Sequence, residues 1–481
     1  MDGMAKAAGA PAGAGTCADG RGGGHARDCA RPAQPLVGMT YALEVFGCQM
    51  NESDAERIAG LLESRGCIPV AEPEEADLVV FVTCCVREKA DTRLYGRVAS
   101  IKNLPAAHAG RPRTIAVGGC IGQRDGERLR AQLPHVDVVF GTHNISELPA
   151  LVERHLETGE AVAQTAADAP ASATADIPSR REKSWHAWLP IMKGCDNFCT
   201  YCIVPHVRGR ESSRPIEALS FELGKLAAEG VQEVTLLGQN VNSYGRDLYG
   251  APRFSELLHM AGECGIPRVR FVTSHPKDLS PETIEAIAAH PSIMPQLHLP
   301  VQSGSDAVLA KMNRGYTAQR YLELVDDLRA AVPGIALSTD VIVGFPTEAR
   351  EDFRATLELV REVGYAQVFT FIYSKREGTP SAEMEPVCTR EQVQERFDAL
   401  VELVQQGAWE ANQADAGMLV PVLFEGASKR DARVLAGKSP KNQTVHVPLP
   451  AGRTAGEFAG RILDVRVERA RTWYLQGKLA S

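Results

Sequence analysis

Apolar and polar positions fall into three regimes along the chain. Between 39 and 157, short apolar runs alternate with helical patterns. Tyr41–Phe46, Leu78–Val82, Thr114–Val117 and Val136–Phe140 read as strands; Asn51–Arg65, Arg87–Lys102, Arg124–Gln132 and Glu147–Leu156 read as helices, the first bringing Ile58, Leu61 and Leu62 to one face. Apolar strands separated by helices predict a parallel sheet covered on both sides. From 184 to 415 a second series offers strands at Leu189–Lys193, Glu233–Leu237, Val269–Thr273, Gln296–Pro300, Ile335–Val343 and Gln367–Tyr373, with helices such as Ile216–Ala228, Ser255–Glu263 and Glu351–Val363 between them. Six βα units predict an open, partial version of the barrel that eight would close. After a helix at Arg390–Gln413, residues 416–481 turn β-like, with short strands at Val420–Phe424, Arg433–Ala436, Thr444–Val447, Gly460–Arg469 and Thr472–Leu475, the pattern of a small barrel that binds oligonucleotides. The expected fold class is α/β with a terminal β-barrel.

Residues 1–38 hold few large apolar groups and are expected to be a disordered extension. The stretch 158–183, rich in Ala, Thr, Ser and Asp, is expected to be a linker. No run of 18 apolar residues occurs and the amino-terminal stretch lacks a compact apolar segment, so no membrane partner and a cytoplasmic location are expected. Net charge is −8, yet from Pro421 onward 11 Lys and Arg face 5 Asp and Glu. That basic end suits RNA phosphates, with a solvated basic face as the plainer reading.

Twelve cysteines are too sparse for a disulfide scaffold, so their spacing carries the chemistry. Cys195, Cys199 and Cys202 form C-x-x-x-C-x-x-C directly after the first strand of the second series. Three thiolates on one short loop can hold three irons of a 4Fe-4S cubane and leave the fourth open to another ligand. A zinc site completed by His206 is the competing reading. Cys48, Cys84 and Cys120 each follow a predicted parallel strand, successive members 36 residues apart. Parallel strands end on one side, so these thiols can converge at the carboxyl edge where such sheets bind ligands. Taken singly, each reads as a small buried apolar residue; taken together, they read as ligands of a second, auxiliary cluster.

The first triad resembles that of the radical S-adenosylmethionine superfamily. Both triads, the order of domains and the motifs SHP (Ser274–Pro276), LHLPVQSGSD (Leu297–Asp306), DVIVGFPTE (Asp340–Glu348) and GTP (Gly378–Pro380) resemble the methylthiotransferase family. CVREKA (Cys85–Ala90), LLGQNVNSYG (Leu236–Gly245) and GKSPKNQTVHV (Gly437–Val447) are most similar to members acting on isopentenylated adenosine in tRNA. Where the family carries Asn-Thr-Cys, this chain has Val82-Thr83-Cys84 followed by Cys85; position favours Cys84 as ligand, and strand alternation would let only one of the pair reach the others.

The resemblance implies two 4Fe-4S clusters, S-adenosylmethionine as methyl donor and radical source, and methylthiolation at C2 of N6-isopentenyladenosine, position 37 of tRNA. Threonylcarbamoyl-adenosine in tRNA and a ribosomal-protein aspartate are alternative targets; a non-enzymatic electron carrier or redox sensor is the alternative of another class. The implied partners are a tRNA anticodon stem-loop held by a TRAM-like terminal barrel, an electron donor such as flavodoxin or ferredoxin, and a sulfur donor. The clusters carry the catalysis, with no side-chain acid or base assigned. Gly238, Gln239, Asn240, Gln302, Ser303, Asp340 and Gly344 are candidate cofactor-binding residues by position at strand ends. Loop-stabilising roles are the plain alternative. Arg208 and Arg210, read as exposed loop arginines, could meet a cofactor carboxylate or RNA phosphate, and His275 and His298 read as structural.

Overall fold

The computed structural model describes residues 35–85, 88–108, 112–165 and 177–480. The first regime is a six-stranded parallel sheet. Its strands are β1 (Thr40–Phe46), β2 (Ile68–Pro69), β3 (Leu78–Thr83), β4 (Thr114–Gly119), β5 (Val138–Phe140) and β6 (Val162–Gln164), in the order β2-β1-β3-β4-β5-β6. β3 is buried along its whole length because helices cover both faces. Ile58 and Leu62 of the helix Gln49–Ser64 pack on one side, and Leu94 and Val98 of the helix Glu88–Ile101 on the other.

Several boundaries differ from expectation. Most of the expected extension, residues 1–34, lies outside the described residues. Its last part is folded: Leu36 is buried in the first core and the Gly38 amide donates to the Gly66 carbonyl at 2.9 Å. The helix expected at Arg124–Gln132 is two pieces, Cys120–Asp125 and Glu127–Gln132, because Gly126 between them takes φ +50°. The expected linker begins late. Thr158 still belongs to the helix Leu148–Thr158, and β6 is a short edge strand whose single buried apolar residue, Val162, gives little periodic signal. Residues 166–176 of that stretch lie outside the described residues; beyond them Arg180 is strapped to the helix Gln49–Ser64, its amide donating to Glu56 O at 2.9 Å and its side chain pairing with Glu63 at 3.1 Å.

The second regime contains β7 (His186–Pro190), β8 (Met192–Lys193), β9 (Ser212–Ser213), β10 (Glu233–Leu237), β11 (Arg268–Phe271), β12 (Gln296–His298), β13 (Ala336–Val343) and β14 (Gln367–Ile372). β7, β10 and β11 form one parallel sheet and β12, β13 and β14 another; a parallel bridge from Val269 to Ile293 joins them. These are the six expected strands. The first starts three residues earlier than expected and stops at Pro190, and the rest of that run becomes β8, a separate antiparallel partner of β9. Val234, Leu236, Val269 and Leu297 pack against the helices, whereas Trp188, Glu233, Thr235, Arg268, Arg270, His298, Ser338 and Asp340 alternate with them onto the opposite, polar face.

The helix Arg390–Gln413, capped by Thr389 and Gln392, packs Leu400 and Val404 into the central core. Beyond it, β15 (Leu419–Ala427), β16 (Val434–Lys438), β17 (Thr444–Pro448), β18 (Ile462–Ala470) and β19 (Tyr474–Leu479) close a barrel in the order β15-β16-β17-β19-β18 around Val422, Phe424, Val445 and Val465. Two buried arginines of β11 clasp it. Arg268 donates to the Lys438 and Pro421 carbonyls at 2.8 and 2.7 Å, and Arg270 to those of Pro440 and Ser439 at 2.9 and 2.8 Å, with Glu233 2.9 Å from Arg270 Nε. No helix among the described residues is long and apolar enough to cross a membrane.

Candidate active site

β8 and β9 form the neck of the loop that carries Cys195, Cys199 and Cys202. Gly194 closes the neck at φ +76°, where a Cβ would strike the Arg210 carbonyl. Arg210 is exposed and donates twice to Asp196, at 2.6 and 3.0 Å, holding the loop from its other side. The three thiols interact electrostatically, and burial pushes Cys195 up to about 11 and Cys202 up to about 12. Cys199 lies 3.5 Å from Arg314 Nη1 and 4.0 Å from His275 Nε2. Arg314 is buried and also donates to the Pro300 carbonyl at 2.6 Å. Burial, with Arg314 and Lys277 adding to it, holds His275 down to about 2, so the ring is neutral; its Nδ1 accepts from the Lys277 amide, which leaves the proton on Nε2, facing Cys199.

The second set stands at the ends of three neighbouring strands, β1, β3 and β4. Asn51 and Thr83 zip these ends together. Asn51 Oδ1 accepts from the Cys48 amide and thiol, both at 3.3 Å, and its Nδ2 donates to the Thr83 carbonyl at 2.9 Å. Thr83 Oγ1 donates to the Gly118 carbonyl at 2.6 Å and accepts from the Ile121 amide at 3.3 Å. Gly47 lets β1 approach: a Cβ there would lie 2.8 Å from Cys84 Cβ. The Cys84 thiol donates to Cys48, lowering it to about 6 against the opposing effect of burial, with the charge of Arg208 adding to the shift. Cys85 likewise donates to Cys120, lowering it to about 7 against burial, again with help from Arg208. Cys84 thus acts on Cys48 and Cys85 on Cys120, and β3 ends at Thr83, before either, so strand alternation does not govern the pair.

Unpaired polar groups crowd the barrel rim. Asn197 Nδ2, both amide atoms of Gln239, Asn240 Oδ1, Asn242 Nδ2 and Ser274 Oγ are buried without a hydrogen-bond partner. Each such group costs about 1–3 kcal/mol unless something polar satisfies it. Phe198, Thr273 and Gln302, in the cysteine loop and after β11 and β12, hold φ of +45°, +69° and +70°, strain of about 1–3 kcal/mol each that clusters at ligand sites. A polar, zwitterionic cofactor beside a cubane fits this rim. Among the described residues no three Cys, His, Asp or Glu are grouped as for one metal ion, and a cubane spreads its thiolates wider because each takes a different iron.

Residues 189–360 match the Radical SAM superfamily and residues 40–141 the Uncharacterized protein family UPF0004. A tRNA-2-methylthio-N(6)-dimethylallyladenosine synthase of Streptomyces viridosporus is 47% identical over 417 residues, covering 85% of this chain and 82% of the relative. One of Carboxydothermus hydrogenoformans is 44% identical over 443 residues, covering 92% and 99%. This chain belongs to the tRNA-2-methylthio-N(6)-dimethylallyladenosine synthase family. It is a radical S-adenosylmethionine methylthiotransferase, and the electron-carrier reading of its thiols is set aside. The fold is also that of the radical S-adenosylmethionine methyltransferase TsrM from Kitasatospora setae, solved with cobalamin and a [4Fe-4S] cluster, at TM-score 0.52 and 14% identity over 72% of this chain and 77% of that one.

Within this synthase fold the expected cofactor residues have different surroundings. Gln239 and Asn240 carry unpaired atoms, Asn240 also donating to Asp278 at 2.8 Å. Gln302 is buried on its strained backbone, and Asp340 faces His298 at 3.5 Å. A Cβ at Gly238 would strike Met192 and Val241 and one at Gly344 would strike Val393, while the Ser303 hydroxyl meets Thr356 at 3.3 Å and the Ser305 amide at 3.2 Å. His206 is exposed. Arg208, expected to be exposed, is buried and paired with Asp54 at 3.0 Å, because its helix Val204–Arg208 docks on the first sheet, where Thr142 Oγ1 donates to the Val207 carbonyl at 2.6 Å. Sequence reading missed Asn51, Arg314, Asn197 and Asn242. Only Asn51 carried a local signal, at the third position after Cys48. In metal-free protein near pH 7, Cys48 is expected to react with iodoacetamide ahead of Cys195 and Cys202; its rate should fall as pH drops through about 6, while theirs should still be rising above pH 9. Peptide mass spectrometry across a pH series checks this.

Proposed function

We propose that the chain inserts a methylthio group at C2 of N6-isopentenyladenosine, position 37 of tRNA, with one 4Fe-4S cluster on Cys195, Cys199 and Cys202 and an auxiliary one on Cys48, Cys84 and Cys120. The observation that carries the reading is a three-thiol loop beside a rim of unpaired polar groups, joined through Arg208 to a second thiol set at the edge of a parallel sheet. When bound, the clusters and S-adenosylmethionine supply one-electron chemistry, sulfur handling and a methyl group. Arg314 and His275 orient Cys199, and the rim amides and hydroxyl hold the polar end of the cofactor. Phe369, exposed on β14 and edge-on to His298 at 5.8 Å, offers a ring to the substrate base. Lys429, Arg430, Arg461, Arg469 and Arg471 are exposed on the terminal barrel and suit tRNA phosphates. A sulfur donor and a reductant of the flavodoxin or ferredoxin kind complete the reaction.

The substrate is carried over from the names of the relatives, and one experiment tests it. Reconstituted protein with dithionite, sulfide and S-adenosylmethionine should convert tRNA bearing isopentenyladenosine to its 2-methylthio nucleoside and release 5′-deoxyadenosine. Product on threonylcarbamoyl-adenosine tRNA alone would move the chain to the alternative target.

A further inference from the structure

Arg208 is buried between the two thiol-bearing parts of the chain. It follows the Cys195–Cys202 loop by six residues, on the short helix Val204–Arg208, yet its guanidinium lies in the first sheet's territory. Only 8% of its side chain is exposed, and Asp54, exposed to 7%, accepts from Nη2 at 3.0 Å. Asp54 stands two turns into the helix that Cys48 caps. Asp54 is shared: Lys193 acts on both Asp54 and Arg208, and Arg57 on Asp54, with Glu56 and Glu222 also balancing Arg57. Ile203 and Val207 of its helix pack into the same cluster as Cys85 and Cys120, so the thiol set is its other neighbour, and the charges of Cys120 and Cys48 act on the guanidinium. A buried guanidinium is costly unless anions complete its surroundings, and beyond Asp54 the negative charge available to it is that of the thiol set.

We propose that Arg208 is the counter-charge of the auxiliary cluster, a positioning residue that stabilises added negative charge on it and so raises its reduction potential. Asp54 moderates that effect by drawing the guanidinium toward itself. The segment that supplies the radical-forming thiols thus also sets the charge balance of the sulfur-handling ones. The inference rests on the auxiliary cluster being held by Cys48, Cys84 and Cys120.

The test is an anaerobic dithionite titration followed by electron paramagnetic resonance on the full chain with both clusters loaded. The triple variant Cys195→Ala, Cys199→Ala, Cys202→Ala, which removes one signal, identifies the one that remains as that of the auxiliary cluster. For that signal, Arg208→Gln should lower the reduced-to-oxidised ratio at fixed potential about tenfold, which is ~59 mV for one electron. Arg208→Lys should restore most of it, and Asp54→Asn should shift it the opposite way. If Arg208→Gln and Asp54→Asn move it together, or neither moves it, Arg208 is an interface strut and the inference fails. If wild-type protein shows a single cluster, the auxiliary site itself fails, a distinct result read from iron content before any variant is made.

Discussion

Replacing Cys195, Cys199 and Cys202 together by Ala is expected to halve the iron of anaerobically reconstituted protein, from about eight atoms to about four, and to abolish release of 5′-deoxyadenosine. Replacing Cys48, Cys84 and Cys120 should also leave about four irons, yet cofactor cleavage should continue while methylthiolated nucleoside disappears. The asymmetry follows from position. The first set sits on the loop that borders the unpaired rim, and the second at the end of a different sheet. Iron analysis with liquid chromatography of the adenosine products reads both outcomes; full iron in the second triple variant would mean those thiols hold no cluster. Cys85 adds a finer point. Because its thiol meets Cys120 rather than pointing away, the Cys84→Ala variant alone is expected to keep part of its auxiliary iron through ligand replacement.

Arg270→Met is expected to destabilise the protein by about 3–5 kcal/mol, because it leaves Glu233 buried with only Arg268, 4.0 Å away, and strips donors from the Ser439 and Pro440 carbonyls. Against a typical total of about 5–15 kcal/mol, that loss governs how much chain stays folded. Urea unfolding reads the size of the effect, and limited proteolysis between the helix Arg390–Gln413 and β15 should show the terminal barrel released. Adding Glu233→Gln should recover part of the loss, since the stranded charge is then gone. A loss below about 1 kcal/mol would mean the clasp is decorative. The GKSPKNQTVHV motif acquires a physical role here: Lys438, Ser439 and Pro440 supply the carbonyls, while Lys441 and Gln443 bind Asp415 at 2.8 and 2.6 Å.

Local signals were legible and distant pairings were not. The helix Arg390–Gln413 could be bounded from the sequence because Thr389 and Gln392 cap it and Leu400 and Val404 repeat at helical spacing. The barrel strands were legible as apolar runs, and the three-thiol loop because its members lie within eight residues of one another. β6 escaped because a three-residue edge strand barely exceeds the noise of an Ala-rich stretch. Arg208 escaped for a different reason. Its carboxylate partner is 154 residues away, and nothing in VPHVRGR distinguishes a buried cation from a solvated one. The unpaired rim is likewise a property of packing, since Asn and Gln in loops ordinarily find water or backbone.

Arg208 can pair with Asp54 only after both have left the ribosome. Chains fold from the amino terminus as they emerge, so the first sheet can close once Gln164 has cleared the exit, while Asp54 waits for Arg208 to follow. During that interval Cys48, Cys84 and Cys120 stand without the charge of Arg208 nearby. On the proposed assignment, iron–sulfur delivery to a nascent chain would meet the thiols without that charge, and delivery to a finished chain would meet them with it. A pause in translation after Gln164 has emerged and before Arg208 has emerged would lengthen the first condition at the expense of the second.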